Sequence, residues 1–279
     1  MSQRYLVVGS NSFSGSHFVD HLLGHGAEVI GTSRSTEAHR VYLPYLWVRP
    51  STHFTFHQLD LNHDLDGMMR VIRDFQPDYV VNFAAQSMVA QSWEHPTQWF
   101  QTNVVAQVAF HDELRKLPFL KRYVHVSTPE VYGNCEGHVT EQHAFAPSTP
   151  YAVSRAAADL SLKTFAQNYG FRVVSTRAAN VYGPGQRLYR IIPRTLLSLR
   201  LGKRVPLHGG GVSVRSFIHI RDVVEGTRRA AVDGVVGGVL PRRAAADDDD
   251  VPGVHSASAH DGSVCRAAGL RRWVGVLRW

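Results

Sequence analysis

Short apolar runs alternate with amphipathic stretches along most of this chain. Tyr5-Leu-Val-Val8, Glu28-Val-Ile-Gly-Thr32, Phe54 to Leu59, Tyr79-Val-Val-Asn-Phe83, Tyr123-Val-His-Val126 and Arg172-Val-Val-Ser-Thr176 have the length and the β-branched or aromatic content of buried strands. Between them, Phe18 to Leu23, a stretch closing at Val71 to Phe75, Trp99 to Leu114 and Tyr151 to Tyr169 read as helices. Apolar strands that alternate with helices form a parallel sheet covered on both faces. The pattern predicts an α/β fold with a doubly wound parallel sheet over residues 1–176. Residues 177–226 are expected to form a small, incomplete substrate lobe. From about Gly226 the pattern fades into Gly/Val/Arg/Ala-rich text with an acidic block, Asp247 to Asp250. Like-charge blocks seldom pack, so residues 227–279 read as an atypical tail, disordered or translated from a shifted reading frame.

The 279 residues suffice for one large domain, or for a domain with a smaller lobe. No apolar run reaches the ~20 residues of a membrane span. Met1 to Arg4 lead straight into the first strand without a signal-peptide pattern. Two cysteines, Cys135 and Cys265, make neither a disulfide framework nor a metal cluster. A cytoplasmic protein is expected. The net charge of +7 is spread along the chain without a nucleic-acid-binding motif, and the 16 histidines have no metal-ligand spacing. No nucleic acid, membrane or metal partner is expected.

The first strand runs into Gly9-Ser-Asn-Ser12-Phe13-Ser-Gly15 and then a helix. A glycine-bearing turn that opens a helix places backbone N–H groups and the positive end of the helix dipole beside a pyrophosphate. Gly9 permits the tight turn and Gly15 close packing, while Ser12 stands where the usual fingerprint has its middle glycine. This is the Rossmann arrangement of a dinucleotide site. Strand two ends in Ser33-Arg34-Ser35, without the acidic residue that grips an NAD ribose. Arg34 can instead take a 2′-phosphate, so the cofactor is NAD or NADP with the latter modestly favoured.

Tyr151-Ala-Val-Ser-Arg155 follows Ser127-Thr128-Pro129-Glu130-Val-Tyr-Gly133 by about twenty residues. A tyrosine and a cation at i and i+4 are neighbours on a helix, and the cation favours the phenolate. Together with Asn82-Phe-Ala84-Ala85-Gln-Ser87, Thr102-Asn103, Arg177-Ala-Ala-Asn180-Val-Tyr-Gly-Pro-Gly-Gln186 and Arg215-Ser-Phe-Ile-His-Ile-Arg-Asp222, these motifs resemble the extended short-chain dehydrogenase/reductases. Within them the chain looks like the nucleotide-sugar 4,6-dehydratase branch of the epimerase/dehydratases, over about residues 4–226. The Gly31-Thr-Ser-Arg34 segment leans to the GDP-mannose type, and Asn180 to Gln186 to the dTDP-glucose type.

The resemblance implies an NAD(P)-dependent enzyme that binds a nucleotide-diphosphate sugar and works as a homodimer through its two long helices. It implies Asp60 and Leu61 at adenine, and Gly9, Ser12, Phe13, Gly15, Arg34, Ala84 and Ala85 along the cofactor. Ser87 and Thr128 would bond the sugar, and Asn180 and Arg215 the diphosphate. Tyr151, with Arg155, would take the proton of the 4-hydroxyl as hydride leaves carbon 4. Glu130 would take the carbon 5 proton, water would leave across carbons 5 and 6, and hydride would return to carbon 6.

Two residues depart from the family pattern. Arg155 replaces its lysine, and a planar guanidinium cannot copy a lysine's contacts with ribose. Pro129 replaces an Asp or Ser and has no proton to give, which leaves Glu130 both proton transfers. A 4-epimerase, a C5 decarboxylase and an inactive dinucleotide-binding protein remain alternative readings of the same motifs.

Overall fold

The computed structural model describes residues 2–47, 51–135, 138–205, 215–234, 264–265 and 275–277. Six strands, β1 (Arg4–Val8), β2 (Glu28–Ser33), β3 (Phe54–Gln58), β4 (Tyr79–Asn82), β5 (Arg122–Val126) and β7 (Val173–Thr176), pair in the order β3-β2-β1-β4-β5-β7. Every pairing is parallel. That order, reversing direction between β1 and β4, is the doubly wound topology, and the crevice at the reversal is where such sheets take ligands. A two-residue strand, β6 (His138–Val139), lies outside this sheet and pairs with β10 (Val264–Cys265).

Side chains alternate across β1 and so serve two cores. Tyr5 and Val7 join Phe18, Val19 and Leu22 of α1 (Phe13–Gly24) on one face. Leu6 and Val8 join Met68, Met69 and Ile72 of α2 (Leu65–Phe75) on the other, with Phe110, Leu114 and Leu162. Phe110 and Leu114 come from the helical stretch that runs from α3 (Gln91–Glu94) through α4 (Pro96–Phe100) to α5 (Ala106–Leu114). Leu162 belongs to α6 (Pro150–Tyr169), capped by Thr149, whose hydroxyl accepts from the N–H of Ala152.

The stretch predicted as one helix, Trp99 to Leu114, is interrupted by a π-helical turn, Gln101–Val105. The turn buries Asn103, whose Oδ1 accepts from the Gln86 N–H (2.8 Å) and whose Nδ2 donates to the Gln86 carbonyl (3.0 Å) and to Ser154 Oγ (3.0 Å). The extra residue in the turn brings one amide to both α6 and the segment after β4.

Beyond β7 the chain forms β8 (Asn180–Tyr182), α7 (Ile191–Arg200), β9 (Arg215–His219) and α8 (Ile220–Asp233). β8 pairs in parallel with β9, which also takes β11 (Gly275–Leu277) antiparallel. The boundary read near Gly226 falls inside α8. Val223, Val224, Thr227 and Ala231 are buried against α1 and β5 as one continuous helix face. The acidic block at Asp247 to Asp250 lies outside the described residues.

Where α1 meets α8, Glu225 accepts from Arg228 and Arg229 and from His21 Nε2 (3.1 Å). Hydrogen bonds from Arg228, then Arg229, hold its carboxyl down to about 2 against the opposing pull of burial. A carboxyl lowered on folding stabilises above its unfolded value, and that contribution is lost as pH falls towards the folded value. Glu225→Gln is therefore expected to lower unfolding free energy at neutral pH by about 1 kcal/mol. The gap to the parent, measured by urea unfolding, should close between about pH 4 and pH 2. In the core, Phe18→Ala should cost about 3–5 kcal/mol in the same assay at pH 7.

Candidate active site

Because the six strands are parallel, their carboxyl ends lie along one edge of the sheet. The loops after β1, β2, β3, β4 and β5 bring the predicted dinucleotide residues to that edge together. Gly9 leaves β1 at φ +81°, and a Cβ there would stand 2.7 Å from the Ala84 nitrogen. Its own N–H and that of Ser10 both donate to the Thr32 carbonyl, which ties the turn to β2. Ser12 replaces a glycine for a local reason: it is the N-cap of α1, its Oγ accepting from the Gly15 N–H at 3.0 Å. A Cβ on Gly15 would fall 2.2 Å from the Gly9 carbonyl oxygen, so the turn closes only around glycine. Phe13 follows at the first position of α1, where backbone N–H groups lack intrahelical acceptors and can receive a phosphate.

Arg34 is exposed at the end of β2, and its carbonyl accepts from Gln58 Nε2. The neighbouring Ser33 hydroxyl accepts from the Asn11 N–H at 3.0 Å. Asp60 is engaged by its own turn, with Oδ1 accepting from the N–H and side-chain amide of Asn62, and Leu61 is buried. The backbone of Ala84 is clamped on both sides, donating to Asn82 Oδ1 (2.8 Å) and accepting from Gln107 Nε2 (3.2 Å). Ala85 is half-buried beside it and Ser87 is exposed. These residues form a rigid backbone cradle whose shape suits a dinucleotide.

The reactive residues meet at the end of β5. Thr128 caps a 3-10 turn, Pro129–Tyr132, with its Oγ1 accepting from the Glu130 N–H at 3.3 Å. Proline at the first position fixes the backbone of that turn and adds no titrating group. Tyr151 stands in the first turn of α6 and is hydrogen-bonded to the Thr128 side chain. Glu130 opens to solvent at the mouth of the groove, within electrostatic reach of both Tyr151 and Arg215. Lost hydration pushes its carboxyl pKa up, and Arg215 pulls it part of the way back. Asn180 is exposed at the start of β8, donating from Nδ2 to the Ser216 carbonyl (3.2 Å) next to Arg215. Tyr151, Arg155, Thr128, Glu130 and Arg215 thus form one constellation.

The phenol does not behave as spacing alone suggests. Burial raises the Tyr151 pKa above its ordinary value, and this outweighs the lowering by Arg155, Thr128 and Arg190. The cation moderates the phenol without bringing it to neutrality. Arg190, the residue just before α7, was not anticipated, and no motif marks it.

Arg155 also lies differently from a groove cation. It is 2% exposed, with Nη2 donating to the Val126 carbonyl and to His125 Nε2 (3.2 Å). Among the described residues its Nε and Nη1 have no acceptor. Two orphaned donors behind Tyr151 fit a polar group entering from the cofactor side, such as a ribose hydroxyl.

Around Arg155 runs a buried polar network that sequence reading missed. Asn82 Nδ2 donates to Tyr123 Oη (2.9 Å), which also meets His111 Nε2 (3.0 Å) and His125 Nδ1 (3.3 Å). On the far side Asp159 accepts from Ser127 Oγ (2.8 Å) and from Arg177 Nη2 (2.6 Å). Arg177 Nη1 donates to Tyr132 Oη (3.2 Å), so one ion pair braces α6 and the turn that carries Glu130. His21, His25 and Glu225 cluster elsewhere, but Glu225 is already held by two arginines, and the group reads as an ion-paired staple.

Taken together, the sheet order and the tyrosine–threonine–glutamate constellation define a dinucleotide-dependent enzyme of the short-chain dehydrogenase type. Residues 5–259 match the model of the NAD dependent epimerase/dehydratase family, and the chain belongs to that family. The match runs past Gly226, where the sequence pattern had faded. The dTDP-glucose 4,6-dehydratase of Xanthomonas campestris pv. campestris (strain B100) is 33% identical over 246 residues, 84% of this chain and 69% of that protein. Among solved structures, the dTDP-glucose 4,6-dehydratase DesIV from Streptomyces venezuelae, crystallised with NAD, superposes with a TM-score of 0.74 at 33% identity. That match covers 82% of this chain and 72% of the other. The UDP-glucose 4-epimerase of Thermotoga maritima, crystallised with UDP-glucose, follows at 0.72 and 28%, covering 82% and 73%.

The buried histidines make a measurable signature. Burial first, and Arg155 second, hold His111 down to about 3 and hold His125 well below its ordinary value. Both stay neutral in the folded protein, whereas the unfolded chain binds protons below about pH 6.5. Unfolding free energy should therefore fall as pH drops below about 6.5, by up to about 1.4 kcal/mol per pH unit for each such histidine. Urea unfolding between about pH 7 and 5 should show a shallower slope for His111→Gln, which removes one of them.

Proposed function

We propose that this chain is a nucleotide-sugar 4,6-dehydratase, converting a nucleotide-diphosphate hexose to its 4-keto-6-deoxy product. The observation that carries the reading is Glu130 beside Tyr151, both organised by Thr128. Proton removal at carbon 4 alone needs only the tyrosine. A second, separately positioned carboxyl is what elimination across carbons 5 and 6 requires. The identity with dTDP-glucose 4,6-dehydratases supports dTDP-glucose as the substrate.

NAD is the proposed cofactor, held by the Gly9–Gly15 turn, Asp60, Leu61, Ala84 and Ala85, as the family and its NAD-bound members suggest. Bound NAD supplies the redox chemistry, oxidising carbon 4 first and reducing carbon 6 afterwards, so that it is unchanged over the cycle. Tyr151 accepts the proton of the 4-hydroxyl, with Arg155 stabilising the phenolate against the cost of burial. The carbon 4 ketone acidifies the carbon 5 hydrogen, and Glu130 takes that proton. Pro129 cannot donate one, so Glu130 returns the proton to the departing carbon 6 hydroxyl, which leaves as water; carbon 5 regains a proton from solvent as hydride returns to carbon 6, and Tyr151 releases the one it took. A carboxyl whose pKa is raised by burial suits both halves of that exchange. Arg215, with Asn180 beside it, is placed to hold the diphosphate, and Ser87 the sugar.

A homodimer is proposed through α5 and α6, in a cytoplasmic setting where nucleotide sugars and NAD are supplied. Val105, at the end of the π turn before α5, and Val153 and Leu160 on α6 are 55%, 39% and 51% exposed, more apolar surface than a solvated face calls for. Among the described residues no helix is long and apolar enough to cross a membrane. A monomer by light scattering at micromolar concentration would refute the dimer.

Incubation with a panel of nucleotide sugars and NAD should give a product lighter by one water. An unchanged mass with inverted carbon 4 indicates an epimerase, and loss of carbon dioxide a decarboxylase. Glu130→Gln should slow dehydration by about 100-fold or more while cofactor binding is retained. A Gln variant that still forms the 4-keto-6-deoxy sugar at the parental rate overturns the assignment. NADP is the second reading, favoured by the exposed Arg34 and the lack of an acidic residue in Ser33-Arg34-Ser35. Arg34→Asp should weaken NADP binding about tenfold and leave NAD binding unchanged in a fluorescence titration.

A further inference from the structure

We propose that His125 is a positioning residue for Tyr151, acting by keeping the Arg155 guanidinium apart from the Asp159 carboxylate. The inference rests on Tyr151 being the base of the reaction proposed above. Arg155 and Asp159 are four residues apart on α6, the spacing at which opposite charges ordinarily pair. Here they do not. Among the described residues no carboxylate lies within 4.0 Å of Arg155, although Asp159 Oδ1 is buried and has no hydrogen-bond partner. His125 stands between them, its Nε2 at 3.2 Å from Arg155 Nη2 and 3.7 Å from Asp159 Oδ1.

The network allows one consistent arrangement of protons. Nε2 of His125 accepts from Arg155, so its proton is on Nδ1 and is given to Tyr123 Oη. That oxygen also accepts from Asn82 and passes its own proton to His111 Nε2. The groups facing His125 are therefore His111 from α5, Tyr123 from β5, Arg155 and Asp159 from α6, and Arg177 from the segment after β7. Burial, Arg155, His111 and Arg177 favour a neutral ring that accepts at Nε2, against the opposite pull of the Asp159 carboxylate. Val126 holds the guanidinium only through a backbone carbonyl, so His125 is the side chain that fixes its orientation.

An uncompensated buried cation is costly, and a phenolate at Tyr151 is the charge that relieves it. Pairing with Asp159 would relieve it first and remove the pull on the phenol. Lysine, a flexible point charge, can turn its ammonium towards the groove, whereas the longer guanidinium needs a separator. The histidine supplies one in this chain.

The test is an ultraviolet titration of the Tyr151 phenolate in protein free of cofactor and substrate, taken as the difference between each variant and its Tyr151→Phe counterpart. His125→Leu is expected to raise the midpoint by about one pH unit, and His125→Gln, which keeps an acceptor, by clearly less. In the double variant His125→Leu/Arg155→Met the shift should not exceed that of Arg155→Met alone, since the histidine acts through the arginine. Full additivity in that cycle, or no shift in His125→Leu, overturns the proposal. Should the leucine variant fail to fold, Tyr123→Phe, which loosens the same ring, must shift the midpoint upwards, and no shift overturns the proposal equally. With nucleotide sugar and NAD, the acid limb of the dehydration profile should move by the same amount. Absence of dehydration in the parent protein, with the titration as expected, counts against the proposed function and leaves the positioning role standing.

Discussion

A guanidinium shut away from water behind Tyr151 is the constraint around which the site is arranged. Arg155 is 2% exposed and, among the described residues, hydrogen-bonds through only one of its three nitrogens. Such a group is tolerated where the surrounding structure over-determines it. The determinants are a strand carbonyl, a neutral histidine, and behind them a chain of polar side chains from β4, β5 and α5. The same region holds the Asp159–Arg177 pair, whose arginine reaches Tyr132 and so the turn of Glu130. Tyr151 and Glu130 are therefore not independent. Both hang from α6 and β5, braced by one buried polar cluster.

The competition between burial and charge at Tyr151 bears on the chemistry. Burial wins in the free protein, and the phenol remains protonated. The site is thereby poised for a further positive charge or a proton-accepting partner to complete its activation, which suits a base that acts only on a bound substrate. At Glu130 lost hydration likewise raises the carboxyl, and Arg215 opposes it.

The relation to epimerases follows from this arrangement. Dehydratases and epimerases superpose on the chain almost equally well, at TM-scores of 0.74 and 0.72, so the fold does not separate them. The proposed function rests instead on a local feature, a carboxyl on the 3-10 turn after β5 that Thr128 caps. Pro129 stiffens that turn and brings no titrating group to it.

Most of the sheet was legible in the sequence, because a strand covered on both faces must be apolar on both, and that leaves a run with few alternatives. The glycine turn and the Tyr151–Arg155 spacing were legible because each is fixed by local backbone geometry. Other features had no local signature. The π turn within 101–105 exists so that Asn103 can reach Gln86 and Ser154, partners that only packing brings near. The last turns of α8 were hidden by Gly226 and a pair of arginines, though Val223, Thr227 and Ala231 kept the spacing of a buried face. The direction taken by Arg155, its distance from Asp159 and the net pKa of Tyr151 were decided by tertiary structure alone. Those depend on how much water is excluded and on which distant side chains converge, quantities that a linear pattern does not contain.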